Sequence, residues 1–317
     1  MKLLKEIHYI IILLSISGGI LLFLLGIKII STSFEKIVSE KLKVKLYKLT
    51  NNKMIGVLLG VVVTGLLQSS SATTLLVISL VHSNLINIYN AVPIIMGANI
   101  GTTITAQIVA IEIKNYAVYL LLAGIIIMPF LKKESTKIIP KLLIGISLIF
   151  LGIDIISNSI ASTNSTKKLS LLVENIGTND ILGIFSGFLI TAIIHSSSTG
   201  IAILQIMASS HIISVRTSIP IILGQNIGTC IDTLIGSLAT NRTGKQAAFV
   251  HIIFNISGVI IFYFFINYLY NFVSLISPGN PSRQIANAHT LFNVITTLLL
   301  LPFSSILVNI SRKIIKE

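Results

Sequence analysis

Apolar residues run along this chain in long blocks, and polar residues interrupt them at few places. The blocks lie at roughly 10–30, 54–82, 91–111, 116–131, 140–157, 181–213, 218–240, 247–270 and 286–310. A membrane-crossing helix needs about 20 mostly apolar residues, so most of the blocks predict one crossing each. Polar stretches separate them, among them 31–53, with six lysines, and 158–180, rich in Ser, Thr, Asn and Lys. The first block follows Lys2 and Lys5 as a secretion leader's would. Its apolar run is longer than such a leader carries, which predicts a retained spanning helix.

Two blocks break the pattern. Block 54–82 carries Gln68-Ser69-Ser70-Ser71-Ala72-Thr73-Thr74 in its middle, and block 181–213 carries His195-Ser196-Ser197-Ser198-Thr199-Gly200. Each is long for one crossing and short for two. A polar centre between two short apolar arms predicts a re-entrant hairpin with its tip near mid-membrane. Such a tip is tolerated where it is buried in protein or lines a wet cavity.

The two odd blocks are copies. Ser69-Ser70-Ser71 recurs as Ser196-Ser197-Ser198, offset by 127, and Gly97-Ala98-Asn99-Ile100-Gly101-Thr102 recurs at the same offset as Gly224-Gln225-Asn226-Ile227-Gly228-Thr229. Aligned without a gap, 56–106 and 183–233 share 17 identities in 51 positions, including matched prolines and glycines. Aliphatic bias raises chance matches at apolar positions and cannot place polar clusters in register. The chain therefore reads as two homologous halves, about 8–135 and 138–270, followed by a helix at 286–310, all within one transport domain over 1–317.

Composition narrows the class. Hydrophobic residues make up 53% and charged residues 10%, where a soluble domain carries about 25% charged. That excludes a soluble enzyme or a nucleic-acid binder and makes the lipid bilayer a partner. The net charge of +13 fits Lys and Arg gathered in cytoplasmic loops. With non-crossing hairpins and the N-terminus outside, fifteen of these residues fall inside and seven outside. Three crossings then separate the hairpins, so the halves are inverted. Full crossing of both hairpins would give a similar charge split with parallel halves, and the polar centres favour inversion. The expected fold is an all-α polytopic membrane protein of two inverted repeats. Each has a re-entrant hairpin and a broken helix, for about seven crossings plus two hairpins.

A Gln-Ser-Ser-Ser tip has definite chemistry. The first arm ends there with free carbonyls, and the second begins with free N–H groups. N–H groups and hydroxyls make an anion site without Lys or Arg. Carbonyls and hydroxyls suit sodium, a hard cation. The Asn-Ile-Gly-Thr segments read as breaks in two further helices, relaxed by Gly101 and Gly228 and bridged by Asn99 and Asn226.

Other polar residues carry weaker signals. Asp232 matches Thr105 and reads as cation-linked or as a structural helix-end group. Lys28 and Asp154 follow the matched glycines Gly26 and Gly152 and read as structural. His251 to Asn255 and His289 to Asn293 share the pattern His-x-x-Phe-Asn, which predicts hydrogen bonds between helices. The single cysteine, Cys230, excludes an intrachain disulfide and a thiolate metal cluster and reads as a packing residue. His195 beside Ser196 does not make a hydrolase, because adjacent residues rarely meet in triad geometry and no Gly-x-Ser-x-Gly elbow is present. The chain is not read as an enzyme, and no transition metal or organic cofactor is expected.

At these residues the sequence resembles the type II sodium-dependent phosphate cotransporter family, in its short bacterial form without a PhoU-like domain. Gln68 to Ser71, His195 to Thr199 and the two Gly-x-Asn-Ile-Gly-Thr segments carry the likeness, joined by Ala247 to Gly258. The resemblance implies a symporter of inorganic phosphate and sodium in the bacterial plasma membrane, with a cytoplasmic C-terminus; a homodimer is compatible with it. It implies phosphate and sodium at Gln68, Ser69, Ser70, Ser71, His195, Ser196, Ser197, Ser198 and Thr199. Thr73, Asn99, Thr102, Thr103, Asn226, Thr229 and Asp232 would bind sodium or support the helix breaks. His195 stands where the family has Gln, and Cys230 where it has a second Thr. The first departure keeps open another oxyanion or small carboxylate as substrate, or phosphate export, and the second puts a poor sodium ligand at the second cation site.

Overall fold

The computed structural model describes residues 2–49, 52–111, 116–134, 136–161 and 179–316, with side chains described in these except at 2–9, 35–49 and 161. Every regular element among them is helical. In chain order these are α1 Lys2–Leu49, α2 Lys53–Leu67, α3 Ser70–His82, α4 Ile88–Val109, α5 Ala117–Ile127, α6 Ile138–Ala161, α7 Asp180–Ile194, α8 Ser197–Ser209, α9 Val215–Gly228, α10 Cys230–Ser237, α11 Arg242–Tyr263, α12 Ile266–Ile276, α13 Pro281–Leu300 and α14 Ser304–Ile314. Most of the polar stretch 158–180 lies outside the described residues.

Glycines set the helix directions. A Cβ on Gly60 would meet Ile94 O at 2.0 Å, and one on Gly97 would meet Val57 O at 2.0 Å. Nearer the tip, Gly101 lies against Val61 and Thr64. Contacts rising together along both helices make α2 and α4 parallel. The helix between them, α3, must therefore return, so α2 and α3 form a hairpin. The second half repeats this, with Gly187 on Ile221, Gly224 on Ile184 and Gly228 on Thr191, so α7 and α8 also form a hairpin. Arms of 15 and 13 residues reach about 20 Å at 1.5 Å per residue, short of a membrane core of about 30 Å.

The halves run in opposite directions. On α3 and α10, Ser71 bonds Asp232 and Leu75 lies on Gly236. Beyond α10, Asn241 donates to His82. These contacts rise together, so α3 is parallel to α10. Because α3 opposes α4 and α10 continues α9, α4 opposes α9. Helices α1 and α6 pack antiparallel through Gly19 on Gly152 and Gly26 on Gly145.

Several expectations need correction. The stretch 31–53 is helical to Leu49, since it lacks Gly and Pro up to there and is rich in Lys, Leu and Glu, all good helix formers. Helix α4 runs unbroken through Asn99-Ile100-Gly101-Thr102. In the second copy only Thr229 separates α9 from α10, with helical φ −59° and ψ −25°. The glycines of this motif serve close packing, since a Cβ on Gly101 or Gly228 would come within 2.7 Å of the Thr64 or Thr191 Cβ. Block 247–270 divides, with α11 ending at Tyr263 and the short α12 burying Ile266, Leu269 and Val273 on one face. The C-terminal helix is bent by 82° between α13 and α14. Pro302 lies at the bend and lacks the N–H that a continuing helix requires. Among the described residues, five helices are long and apolar enough to cross a membrane, or six with this bent pair, and shorter apolar helices accompany them. Block 116–131 yields only α5 and a 3₁₀ turn ending at Phe130.

Candidate functional site

Each hairpin turns on two residues. Gln68 closes α2 in the left-handed region at φ 53°, its N–H donating to Thr64 O at 2.7 Å. Ser69 is then extended at φ −149° and caps α3, its Oγ accepting from Ala72 N at 3.1 Å. In the second half His195 adopts φ 57° with its N–H on Thr191 O, and Ser196 at φ −154° caps α8 by accepting from Thr199 N. A left-handed cap followed by a serine N-cap is a complete helix–turn–helix reversal in two residues. The start of the returning arm presents N–H groups and hydroxyls. Ser70 and Ser197, the first residues of α3 and α8, are 4% and 7% exposed, while Ser69, Ser71, Ser196 and Ser198 are half-buried.

Behind each tip stands one partner residue, at equivalent positions of the two copies. Thr105 Oγ1 donates to Gln68 Oε1 at 2.7 Å. At the equivalent place Asp232 Oδ1 meets His195 Nδ1 at 2.5 Å. The other Asp232 oxygen, Oδ2, accepts from Ser71 Oγ at 2.7 Å. Asp232 thus ties the tip of one hairpin to the tip of the other. Gln68 also turns its amide back to Gly65 O. Thr73 Oγ1 donates to Ser69 O, and Ser196 Oγ lies 2.8 Å from Thr199 Oγ1, so both tips are braced internally.

The remaining expected residues divide. Asn99 does not bridge a helix break. Its Nδ2 donates to Asn255 Oδ1 at 2.8 Å, and its Oδ1 lies 3.1 Å from His251 Nε2. His251 Nδ1 lies 3.0 Å from Thr233 Oγ1, which makes a buried network joining α4, α10 and α11. The interhelix bonding expected of His251 is present. Thr102, Thr103, Asn226 and Thr229 each donate to a carbonyl three or four residues back, and all are buried. Cys230 is free and buried, within 3.6 Å of His251 O. Thr105, Thr233, His251 and Asn255 were not among the expected site residues. The offset of 127 pointed to Thr105, since it pairs with Asp232. The repeated His-x-x-Phe-Asn pattern pointed to His251 and Asn255.

Among the described residues no group of three or more His, Cys, Asp or Glu comes together. The donor set at the tips is oxygen and N–H, which suits a small oxyanion and an alkali cation. A cavity of about 420 Å³ lies away from the tips, between Phe150, Ser157, Gln205, Ser210 and Ser282, and holds none of the expected site residues.

Helices of crossing length, exposed Leu, Ile and Phe over their outer faces and polar residues gathered at two hairpin turns define a multi-pass membrane protein. Comparison with known proteins gives the particular family. The family described as Na+/Pi-cotransporter matches residues 22–158 and, a second time, 159–301, and the chain belongs to it. It is 30% identical over 295 residues to the uncharacterized protein YqeW of Bacillus subtilis, covering 93% of this chain and 95% of that one. It is 23% identical over 305 residues to a Salmonella typhimurium protein named "Putative inorganic phosphate export protein YjbB", covering 96% of this chain and 56% of that one. The human sodium-dependent phosphate transport protein 2B is 40% identical over 102 residues, 31% of this chain and 15% of that one. No solved structure matches.

Proposed function

We propose that the protein is a sodium-coupled symporter of inorganic phosphate in the bacterial plasma membrane, working by alternating access. The observation that carries this reading is the contact of the two oppositely directed hairpins through Ser71, Asp232 and His195. Ser69, Ser70, Ser71, Ser196, Ser197, Ser198 and Thr199 would hold phosphate with hydroxyls and helix-start N–H groups. Gln68 and His195 would hold it from the turn. Thr73, Asn99, Thr102, Thr103, Asn226 and Thr229 would bind sodium or support the tips from behind. Asp232 would brace the two tips, each of its oxygens taking one bond from a tip residue and keeping a further acceptor position. The N-terminus lies outside and the C-terminus in the cytoplasm on this reading.

Energetics favour cation coupling. Bringing a divalent anion into a cell at −100 mV costs roughly 4.6 kcal/mol, which two co-transported sodium ions cancel and a third reverses. A tip without Lys or Arg also needs a cation to neutralise the anion. Sodium and phosphate should therefore strengthen each other's binding, reciprocally.

A second reading, phosphate export, is favoured by the name of the Salmonella relative, which matches 96% of this chain. Uptake of labelled phosphate into proteoliposomes, with and without an inward sodium gradient, tests both. Saturable uptake that requires sodium supports the symporter. Folded protein that moves no phosphate under sodium or proton gradients overturns it.

A further inference from the structure

We infer that Asp232 is a specificity-determining residue: its carboxylate accepts the P–OH of a protonated phosphate and excludes oxyanions that have no proton to donate, such as sulfate. The inference rests on the phosphate reading above and names what that site selects.

The two copies of the tip differ in one respect that matters to an anion. In the first, a hydroxyl meets an amide oxygen, Thr105 to Gln68, with no formal charge. In the second, a carboxylate meets an imidazole, Asp232 to His195. The hairpins and the helices after them, residues 53–109 and 180–237, contain two acids, Asp180 and Asp232. Asp180 is held by Arg216 at 2.8 and 2.9 Å, far from the tip at the start of α7. Asp232 is the acid at the tips, and its side chain is 16% exposed.

A carboxylate beside an anion site repels the anion unless the anion brings a hydrogen. Asp232 has about four acceptor positions, of which Ser71 and His195 fill one each. The His195 bond orients the carboxylate, and the Ser71 bond holds it against the first turn of α3, whose opening N–H groups have no intrahelical partner. The other groups at the tips, hydroxyls and N–H, receive phosphate and sulfate alike. The carboxylate, which accepts, cannot donate and carries a full negative charge, is the group that most penalises an anion without a hydrogen. Both phosphate species present near neutral pH carry a P–OH, which donates to a carboxylate in a short, charge-assisted bond. Sulfate carries none, and its oxygens would face the carboxylate as two negative acceptors, a repulsive element against the wrong partner.

Uptake of labelled phosphate and labelled sulfate into proteoliposomes tests this on the wild type, Asp232→Asn and Asp232→Thr. The last places the residue of the first copy in the second. The wild type should prefer phosphate by about a hundredfold or more, and both variants should narrow the preference to about tenfold or less. Monofluorophosphate, which has the shape of phosphate and no P–OH at neutral pH, should compete with phosphate in the variants and not in the wild type. Folded variants that keep the wild-type preference, or that take up neither anion, overturn the inference. A wild type that takes up both anions alike overturns it and leaves phosphate transport standing. A wild type that takes up neither overturns the transport reading itself.

Discussion

Gln68 and His195, 127 positions apart, hold the same left-handed backbone conformation, at φ 53° and 57°, and each donates its N–H to a threonine carbonyl four residues back. The side chains differ, yet the turn is the same. Its backbone is therefore the shared device, and the side chain is free to differ between the copies.

That relationship predicts how the position tolerates change. Asn enters the left-handed region readily, whereas a β-branched residue there is strained by about 1–2 kcal/mol. His195→Val should unfold in detergent more easily than His195→Asn by about that amount, and Gln68→Val more easily than Gln68→Asn. Equal stability within each pair would show that the turn relaxes out of the left-handed region.

Ser70→Ala and Ser197→Ala remove hydroxyls at the buried starts of α3 and α8. Each should raise the phosphate concentration for half-maximal uptake, or lower the rate, by about tenfold or more, as loss of a hydrogen bond to a charged ligand does. Both proteins should still reach the membrane. Normal uptake in both sinks the assignment of phosphate to the tips.

Gly97 and Gly224 allow the helix backbones of each half to touch, with an added Cβ only 2.0 and 1.8 Å from Val57 O and Ile184 O. Gly97→Ala or Gly224→Ala must push α2 from α4, or α7 from α9. A loss of about 1–3 kcal/mol or more is expected, seen as reduced folded yield in size-exclusion profiles. Wild-type yield and stability in both would contradict the close approach.

The opposite directions of the hairpins predict opposite exposure of their far ends. In a Cys230→Ala background, Ser83→Cys after α3 should react with an impermeant maleimide from the cytoplasmic side. Ser209→Cys at the end of α8 should react from outside. Both positions are exposed. Labelling of both from one side would overturn the inversion.

The sequence by itself determined the hairpins and their turning points. Their signals are local: an apolar arm, a residue able to adopt the left-handed cap, a serine N-cap and a second arm, written twice in register. The same register reaches the outer caps, where Asn52 and Asn179 each accept from the backbone two residues on. The tertiary structure alone decided three other matters. It joined Ser71 to Asp232 across 161 residues and Asn99 to Asn255 across 156. It kept α4 continuous through Asn-Ile-Gly-Thr, because a glycine that permits a break and a glycine that admits a neighbouring helix look the same in sequence. And it set Asp232 between two tips, where the repeat alignment had shown only a carboxylate in place of Thr105. The physical reason is common to all three. Caps and turns are settled by the few residues that form them, whereas a contact between halves depends on where whole helices pack, and no local periodicity records that.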